Sequence, residues 1–284
     1  MIVCVGLATL DTILIVPRHP GPDDRVVAME LVRAGGGPAA TAAVTLARLG
    51  VDTAFVGAVG DDDAGREIRH GLEREGVDIA GLAVVPGARS PQSTILVGPE
   101  GTRAIVHVPG TAALEVGELP EADWVHVDHA GYPAVRGRGL RLSVDGGNPI
   151  PDLDLAEVAL YAPTEAALLV SSEDVKLTSS EDVKREPMGL AEAARAALAA
   201  GAELVVVTRG SGGSVAFTRD GEQIEAPAPP VDVVSTLGAG DVFHGALLAQ
   251  LVRDVPLREA LAEANRIAAE SCRALDGRSA IPRA

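Results

Sequence analysis

The chain has 284 residues, 47% hydrophobic and only 2% aromatic, with a formal net charge of −16 from 40 acidic and 24 basic residues. That length and apolar content support a sizeable core in one large α/β domain, with or without a small appendage, and exclude whole-chain disorder. The negative charge repels DNA, RNA and anionic membrane surfaces, and so few aromatic side chains offer no base-stacking platform, so neither nucleic acid nor membrane is an expected partner.

Ile2–Leu7 is a continuous apolar run, the pattern of a strand buried on both faces. The apolar N-terminus, Met1 to Val16, lacks a basic segment and is interrupted at Asp11, so it reads as a buried strand and not as a signal peptide. Cys4 and Cys272 are the only cysteines, too few for a disulfide framework or a cysteine zinc site, which fits a reducing compartment such as the cytoplasm. Thr12–Val16 and Val26–Val32 read as short strands around a turn-rich Pro17–Asp24. Pro38–Leu49 reads as a helix, with Pro38 in the first turn, a stripe of Ala39, Ala42, Ala43, Leu46 and Leu49, and Gly50 ending it. Val51–Val56 is the next strand and Asp62–Glu75 the next helix.

Ser93–Val97 and Arg103–Val108 flank a hairpin turn at Gly98–Gly101. Trp124–Val127, Leu142–Val144 and residues 168–170 read as short buried strands. Ser171–Lys176 (SSEDVK) recurs as Ser179–Lys184, and each copy fits a capping box at a helix start. Lys176 and Lys184 are the only lysines, and neither follows the glycine spacing of a Walker A loop. Leu190–Ala200 reads as a helix, Leu204–Thr208 as a strand, and Val215–Phe217 with Gln223–Ala226 as a hairpin around Asp220-Gly221. Ala239–Val252 and Leu257–Arg273 are two closing helices, and no apolar run reaches the roughly 18 residues of a membrane span.

Strands alternating with helices predict an α/β fold: a mostly parallel central sheet with helices on both faces. The strand-like segments near 12–32 and 93–108 lack crossover helices and are expected to pair as a small separate sheet. The expected division is a large domain of 1–10, 34–88 and 110–284 and a β-sheet lid of 11–33 and 89–109. A lid sheet with an uncovered apolar face predicts a homodimer through it.

Four segments carry chemistry. Ser235-Thr236-Leu237-Gly238-Ala239-Gly240-Asp241 leads into a helix, so free N–H groups and the positive helix pole meet at one anion site. Asp241, in the first turn beside it, is placed to take a proton from an attacking hydroxyl. An ordinary glycine turn with Asp in a favourable first-turn position would read the same. Gly35-Gly36-Gly37 lets the backbone approach a ligand closely, or is simply a flexible loop. Asp11, straight after an apolar strand, is a carboxylate at the usual ligand crevice of an α/β sheet and suits two sugar hydroxyls; as a plain loop residue it would cap a turn. Thr208-Arg209-Gly210-Ser211-Gly212-Gly213 follows a strand as a phosphate-binding turn would. The side chains of His126 and His129 are expected on opposite faces of a strand, which argues against a metal pair.

Gly35–Gly50 and Ser235–Leu248, with the opening VCVGLATLD and the late GRSAIP (Gly277–Pro282), resemble the two signatures of the ribokinase or PfkB family of carbohydrate kinases over essentially the whole chain. TLGAGD is similar to the ketohexokinase branch, and GGGPAATAA, Val59–Asp63 and GAGDVFHGAL to bacterial sulfofructose kinases. The resemblance implies ATP and Mg²⁺, Asp241 as catalytic base, and Gly238, Ala239 and Gly240 as the anion hole. It implies Asp11, Gly36 and Gly37 as sugar contacts, Thr208, Gly210 and Gly213 at the ATP phosphates, and Asn265 on the helix flanking the adenine. Glu173 or Asp174, after the segment 168–170, stands nearest to the family's carboxylate that holds magnesium-bound water. Arg25 and Arg103 lie in lid-like segments and suit an anionic substituent on the sugar. Ser235 stands where many relatives have an Asp that helps bind a monovalent cation, and Gly37 where many have a sugar-contacting Asn.

The sequence therefore predicts ATP-dependent phosphorylation of a sugar hydroxyl, on a ketose or ketose derivative, with little monovalent-cation dependence. The rivals are a phosphosugar or nucleoside kinase of the same family and a non-catalytic sugar-binding pseudokinase.

Overall fold

In the computed structural model, strand β1 (Ile2–Val5) is buried along its whole length: Ile2 and Cys4 face one core, Val3 and Val5 the other. The description covers residues 1–174 and 188–284, without the side chains of residues 100 and 171–174. From β1 the chain passes through β2 (Thr9–Ile15), β3 (Glu30–Gly36), helix α1 (Pro38–Arg48), β4 (Thr53–Gly60), α2 (Asp63–Arg74) and β5 (Asp78–Val85). Next come β6 (Gln92–Val97), β7 (Arg103–Val108), β8 (Trp124–Val127), the single turn α3 (Tyr132–Val135), β9 (Leu142–Gly146), β10 (Val158–Pro163) and α4 (Glu165–Asp174). The chain closes with α5 (Leu190–Ala199), β11 (Leu204–Thr208), β12 (Ser214–Thr218), β13 (Gln223–Ala226), α6 (Ala239–Leu251) and α7 (Leu257–Ser271).

The large sheet has the order β13-β12-β11-β10-β9-β8-β1-β4-β5, parallel from β11 to β5, with β12 and β13 antiparallel at one edge. One face is covered by α1, α2, α6 and α7, the other by α3, α4 and α5, as expected for strands apolar on both sides. The chain leaves β1 toward β4 and β5, then returns to β8 on its other side. That reversal opens a crevice beyond the strands' C-terminal ends, the usual ligand position in such sheets. Helix α6 is buried from Val242 to Ala249 and lies hard against α1: a Cβ on Gly245 would stand 2.6 Å from the Ala42 carbonyl oxygen. Truncating a core residue here, such as Leu46 or Leu247, would cost about 2–5 kcal/mol.

The second sheet, β3-β2-β6-β7, is mixed: β2 runs parallel to β6, and both outer pairs are antiparallel. The pairing of the two helix-free segments is as the sequence predicts. Its inner face, Ile13, Ile95 and Val97, packs on Leu237 and Leu275 of the larger body.

Four local expectations need correction. The strand read at Val26–Val32 lies at Glu30–Gly36: β2 ends at Ile15, before Pro17, and pairs Ile15 with Glu30, so residues 26–28 have no strand partner. Residues 168–170 are helical; the buried strand is β10, and the Thr164 side chain then accepts the Ala167 N–H at 3.1 Å and starts α4. Asp11 does not follow the first strand but is the third residue of β2, because the chain turns at Gly6–Ala8 and re-enters a sheet at once. The first SSEDVK copy does not start a helix, because Ser171–Asp174 continue α4; the rest of that copy and the whole second copy lie outside the described residues.

Candidate active site

Helix α6 opens on Gly238, which adopts φ 70° and ψ 2° with no side chain capping the helix. That left-handed geometry is available to glycine at little cost and leaves the first-turn N–H groups pointing outward. The Ala239 N–H makes only a long 3.4 Å bond to Thr236, and a Cβ on Gly240 would meet nothing within 4 Å. Open space, unsatisfied donors and the positive helix pole therefore coincide at Gly238, Ala239 and Gly240. Asp241 sits in the same turn, half-buried. Burial pushes its pKa up to about 8; the Asp145 and Asp128 carboxylates add to the rise, and His244 and Arg278 oppose it. A base poised near neutral pH is what proton abstraction from a hydroxyl needs.

Asp11 is buried, and its Oδ1 accepts the Thr9 hydroxyl at 2.8 Å. Burial raises its pKa, opposed by hydrogen bonds from Thr9 and Ser93 and by the charges of Arg278 and His107. A Cβ on Gly36 would overlap Asp11 Oδ2 and stand 2.6 Å from Thr9 Oγ1, so residue 36 is glycine because a carboxylate fills the space. Gly37 brings the chain equally close to Leu7 and Ala8, and α1 begins directly after it. No side chain of its own caps α1; Asp128, at the end of β8, supplies Oδ2 to the Ala39 N–H at 3.2 Å and to the Leu7 N–H at 2.8 Å.

Arg278 is 9% exposed. Its Nη2 donates to the Gly36 carbonyl and to Thr41 Oγ1, both at 2.9 Å, and Nε donates to Thr41 Oγ1 at 3.1 Å. Burial lowers its pKa to about 10, against the attraction of Asp11, Asp241, Asp276 and Glu75. One buried guanidinium thus acts on both Asp11 and Asp241. Below Asp241 lie Asp145, at the end of β9, and His244, one turn along α6; donor-type atoms of the three lie within 4.8 Å of one another. An imidazole in that set does not suit Mg²⁺, which selects oxygen ligands.

The other predicted residues disperse. Thr208 ends β11, and Gly210 and Gly213 shape the turn into β12, with Gly210 exposed toward solvent. Asn265 is buried in α7 and spends its amide nitrogen on Ser214 Oγ at 3.0 Å and the Ala226 carbonyl at 2.9 Å, holding α7 to the sheet edge behind that turn. Arg103 on β7 reaches across to hydrogen-bond Thr236 in the anion-hole loop, tying the small sheet to it. Arg25 is exposed in the loop between β2 and β3. Glu173 and Asp174 fall in the last turn of α4, where side chains lie outside the description.

A family model described as pfkB family carbohydrate kinase matches residues 1–149 and 153–284. The chain belongs to the pfkB family of carbohydrate kinases. Among its pfkB relatives, the ATP-dependent ribose-1-phosphate kinase of Halopiger xanaduensis is 30% identical over 279 residues, covering 93% of this chain and 89% of that protein. Ketohexokinase of Mus musculus is 26% identical over 288 residues, covering 95% of each. The ribokinase structure from Thermotoga maritima matches with a TM-score of 0.85 at 24% identity, covering 100% of this chain and 96% of that one, a likeness of fold. The pfkB frame covers both sheets, so the small sheet and the α6 turn belong to one family architecture.

Sequence reasoning did not single out Arg278, His244, Asp145 or Asp128 in this pfkB kinase. Asp145 and Asp128 each close a short apolar strand, the pattern that had drawn attention to Asp11. His244 is three residues past Asp241 on a helix, and that spacing puts it on the same face. Arg278 stood inside a quoted motif, but its partners are more than 200 residues away in sequence.

Proposed function

We propose that this pfkB-family kinase transfers the γ-phosphoryl group of ATP to a hydroxyl of a ketose or ketose derivative. The observation that carries the reading is Asp241, with its pKa raised to about 8, in the first turn of a helix whose opening glycine leaves its donors free. Asp241 takes the hydroxyl proton as the sugar oxygen bonds to the γ-phosphorus; the bond from that phosphorus to the β–γ bridging oxygen breaks, and ADP leaves with the pair. The 238–240 amides stabilise the charge on the transferring group. Asp11, held in place by Thr9, accepts from other sugar hydroxyls, with the Gly36 and Gly37 backbone alongside. The turn of Thr208, Gly210 and Gly213 faces the ATP phosphates, and Asn265 supports that turn from behind. Mg²⁺ bound with ATP would neutralise phosphate charge, and Glu173 or Asp174 would hold its water.

Residues 11–33 and 89–109 act as the lid in this reading and the remainder as the kinase body. The lid's outer face exposes the apolar side chains of Leu31 and Val106, at 59 and 63%, which supports a homodimer through this sheet. Relatives named ketohexokinase and fructokinase support a ketose acceptor. The relatives named ribose-1-phosphate kinase and aminoimidazole riboside kinase keep phosphosugars and ribosides as the competing acceptors. Against a phosphosugar, the lid cation Arg103 is already bonded to Thr236. Among the described residues, no helix is long and apolar enough to cross a membrane.

The test is ADP formation from ATP with a panel of fructose, sulfofructose, fructose phosphates, ribose, ribose 1-phosphate and inosine. Highest kcat/KM on fructose or sulfofructose supports the proposal. A preference for a ribose compound moves the acceptor to the rival class, and no sugar-dependent turnover on any of them rejects catalysis.

A further inference from the structure

We propose that His244 is a positioning residue for Asp241, kept as an imidazolium by Asp145 so that a fixed positive charge stands behind the catalytic carboxylate. This rests on the reading of Asp241 as the base.

The geometry comes from three elements. Asp145 ends β9, and its Oδ2 lies 3.4 Å from His244 Nδ1; both side chains are about 95% buried. Asp241 stands on the same helix three residues earlier, within the same 4.8 Å cluster. Neither ring nitrogen of His244 has a well-formed hydrogen bond among the described residues, so the Asp145 contact is an ion pair more than a directed bond. A neutral imidazole would leave Asp145 a buried anion, bonded to the Gly147 N–H at 2.8 Å but facing no positive charge from His244, beside a second carboxylate, an arrangement several kcal/mol uphill in a protein interior.

The surroundings agree on the sign. From β8, His126 approaches with ring centroids 5.8 Å apart; its own Nδ1 lies 3.1 Å from Ser143 Oγ. Burial and the neighbouring His244 charge hold the His126 pKa down at about 3, so it stays neutral. From β10 comes the Ala162 carbonyl, and from α6 itself the Phe243 ring edge. Burial opposes the charge on His244, and Asp145 and Asp241 outweigh it, raising its pKa. Asp145 would be raised by burial, but His244 and the Gly147 N–H hold it at about 2. Around Asp241 the remaining charges are Asp128, which hinders its ionisation, and Arg278, which favours it.

His244 therefore offsets Asp145. Without the imidazolium, two carboxylates face each other, Asp241 holds its proton to higher pH, and fewer molecules carry a competent base at neutral pH. His244→Asn keeps a side-chain nitrogen near Asp145 and removes the charge.

Two measurements test this. In long-range ¹H–¹⁵N spectra of the whole protein, one histidine signal, lost in H244N, should keep imidazolium shifts through pH 7.5 and titrate at least one unit lower in D145N. A His244 already neutral at pH 6.5 in the wild type overturns the proposal. With fructose and saturating Mg-ATP, H244N should move the acid limb of kcat/KM upward by about one pH unit, with KM for ATP within twofold. An unmoved limb in H244N also overturns it, because a purely structural role lowers activity at every pH without shifting the limb. If fructose is not phosphorylated by the wild type, the acceptor assignment fails and the spectra still decide the charge state. If D241N turns over normally, the base reading fails by itself.

Discussion

Arg278 donates from two nitrogens to one oxygen, Oγ1 of Thr41, at 3.1 and 2.9 Å. A further bond to the Gly36 carbonyl makes this side chain the fastening between the last loop, helix α1 and the end of β3. The same guanidinium lies within electrostatic reach of Asp11 and Asp241, so structural support and site electrostatics share one residue.

Arg278→Met should destabilise the protein by about 3–5 kcal/mol, the cost of removing one member of a buried charged network. R278K should recover only part of this, because an ammonium cannot reproduce the planar fork. Urea unfolding measures both, and a loss under about 1 kcal/mol in R278M would mean that the site tolerates an empty centre.

Gly36→Ala places a methyl group into the Asp11 carboxylate. The acceptor KM should rise at least about tenfold, some 1.4 kcal/mol of binding, while KM for ATP holds. Asp11→Ala should show the same split, since it removes the carboxylate that Gly36 makes room for. Equal effects on both substrates in either variant would place Asp11 outside the sugar subsite.

Asp241→Asn should lower kcat by about 10²–10⁴ with ATP affinity retained. A general base must be deprotonated to act, and the Asp241 pKa is raised to about 8. In the wild type, kcat/KM should therefore rise with pH up to that value and then level off. An acid limb centred near pH 4, as for an ordinary aspartate, contradicts the assignment.

Ser235 is buried, and its hydroxyl accepts the Leu237 N–H at 3.2 Å. It offers a cation no formal charge, and its oxygen is already engaged in the loop. Turnover with saturating Mg-ATP should differ little between K⁺, Na⁺ and a bulky organic cation at fixed ionic strength. A rise of about tenfold in K⁺ alone, about 1.4 kcal/mol of coupling, would show a working cation site.

A homodimer through the lid should appear by light scattering at micromolar concentration, and Val106→Glu with Leu31→Glu should give monomers that keep the fold by circular dichroism. A wild-type monomer at that concentration refutes the lid interface.

The sequence by itself determined the alternation of strands and helices, because side-chain period and glycine or proline punctuation are local. Ile2–Val5 reads as a doubly buried strand from four apolar side chains, and Gly238–Asp241 reads as an anion turn from the glycines before an apolar helix. Where local signals were ambiguous they misled: 164–174 has apolar residues that suit either strand or helix, and the Thr164 cap decides for helix. Only the tertiary structure decided which charges meet. Asp145 reaches His244 on α6 from strand β9, and Arg278 reaches Gly36 and Thr41 from the far end of the chain. The reason is that Coulomb and hydrogen-bond energies depend on distance in space and on burial. Neither quantity exists along the sequence until the sheet order and the packing of α6 against α1 have been set.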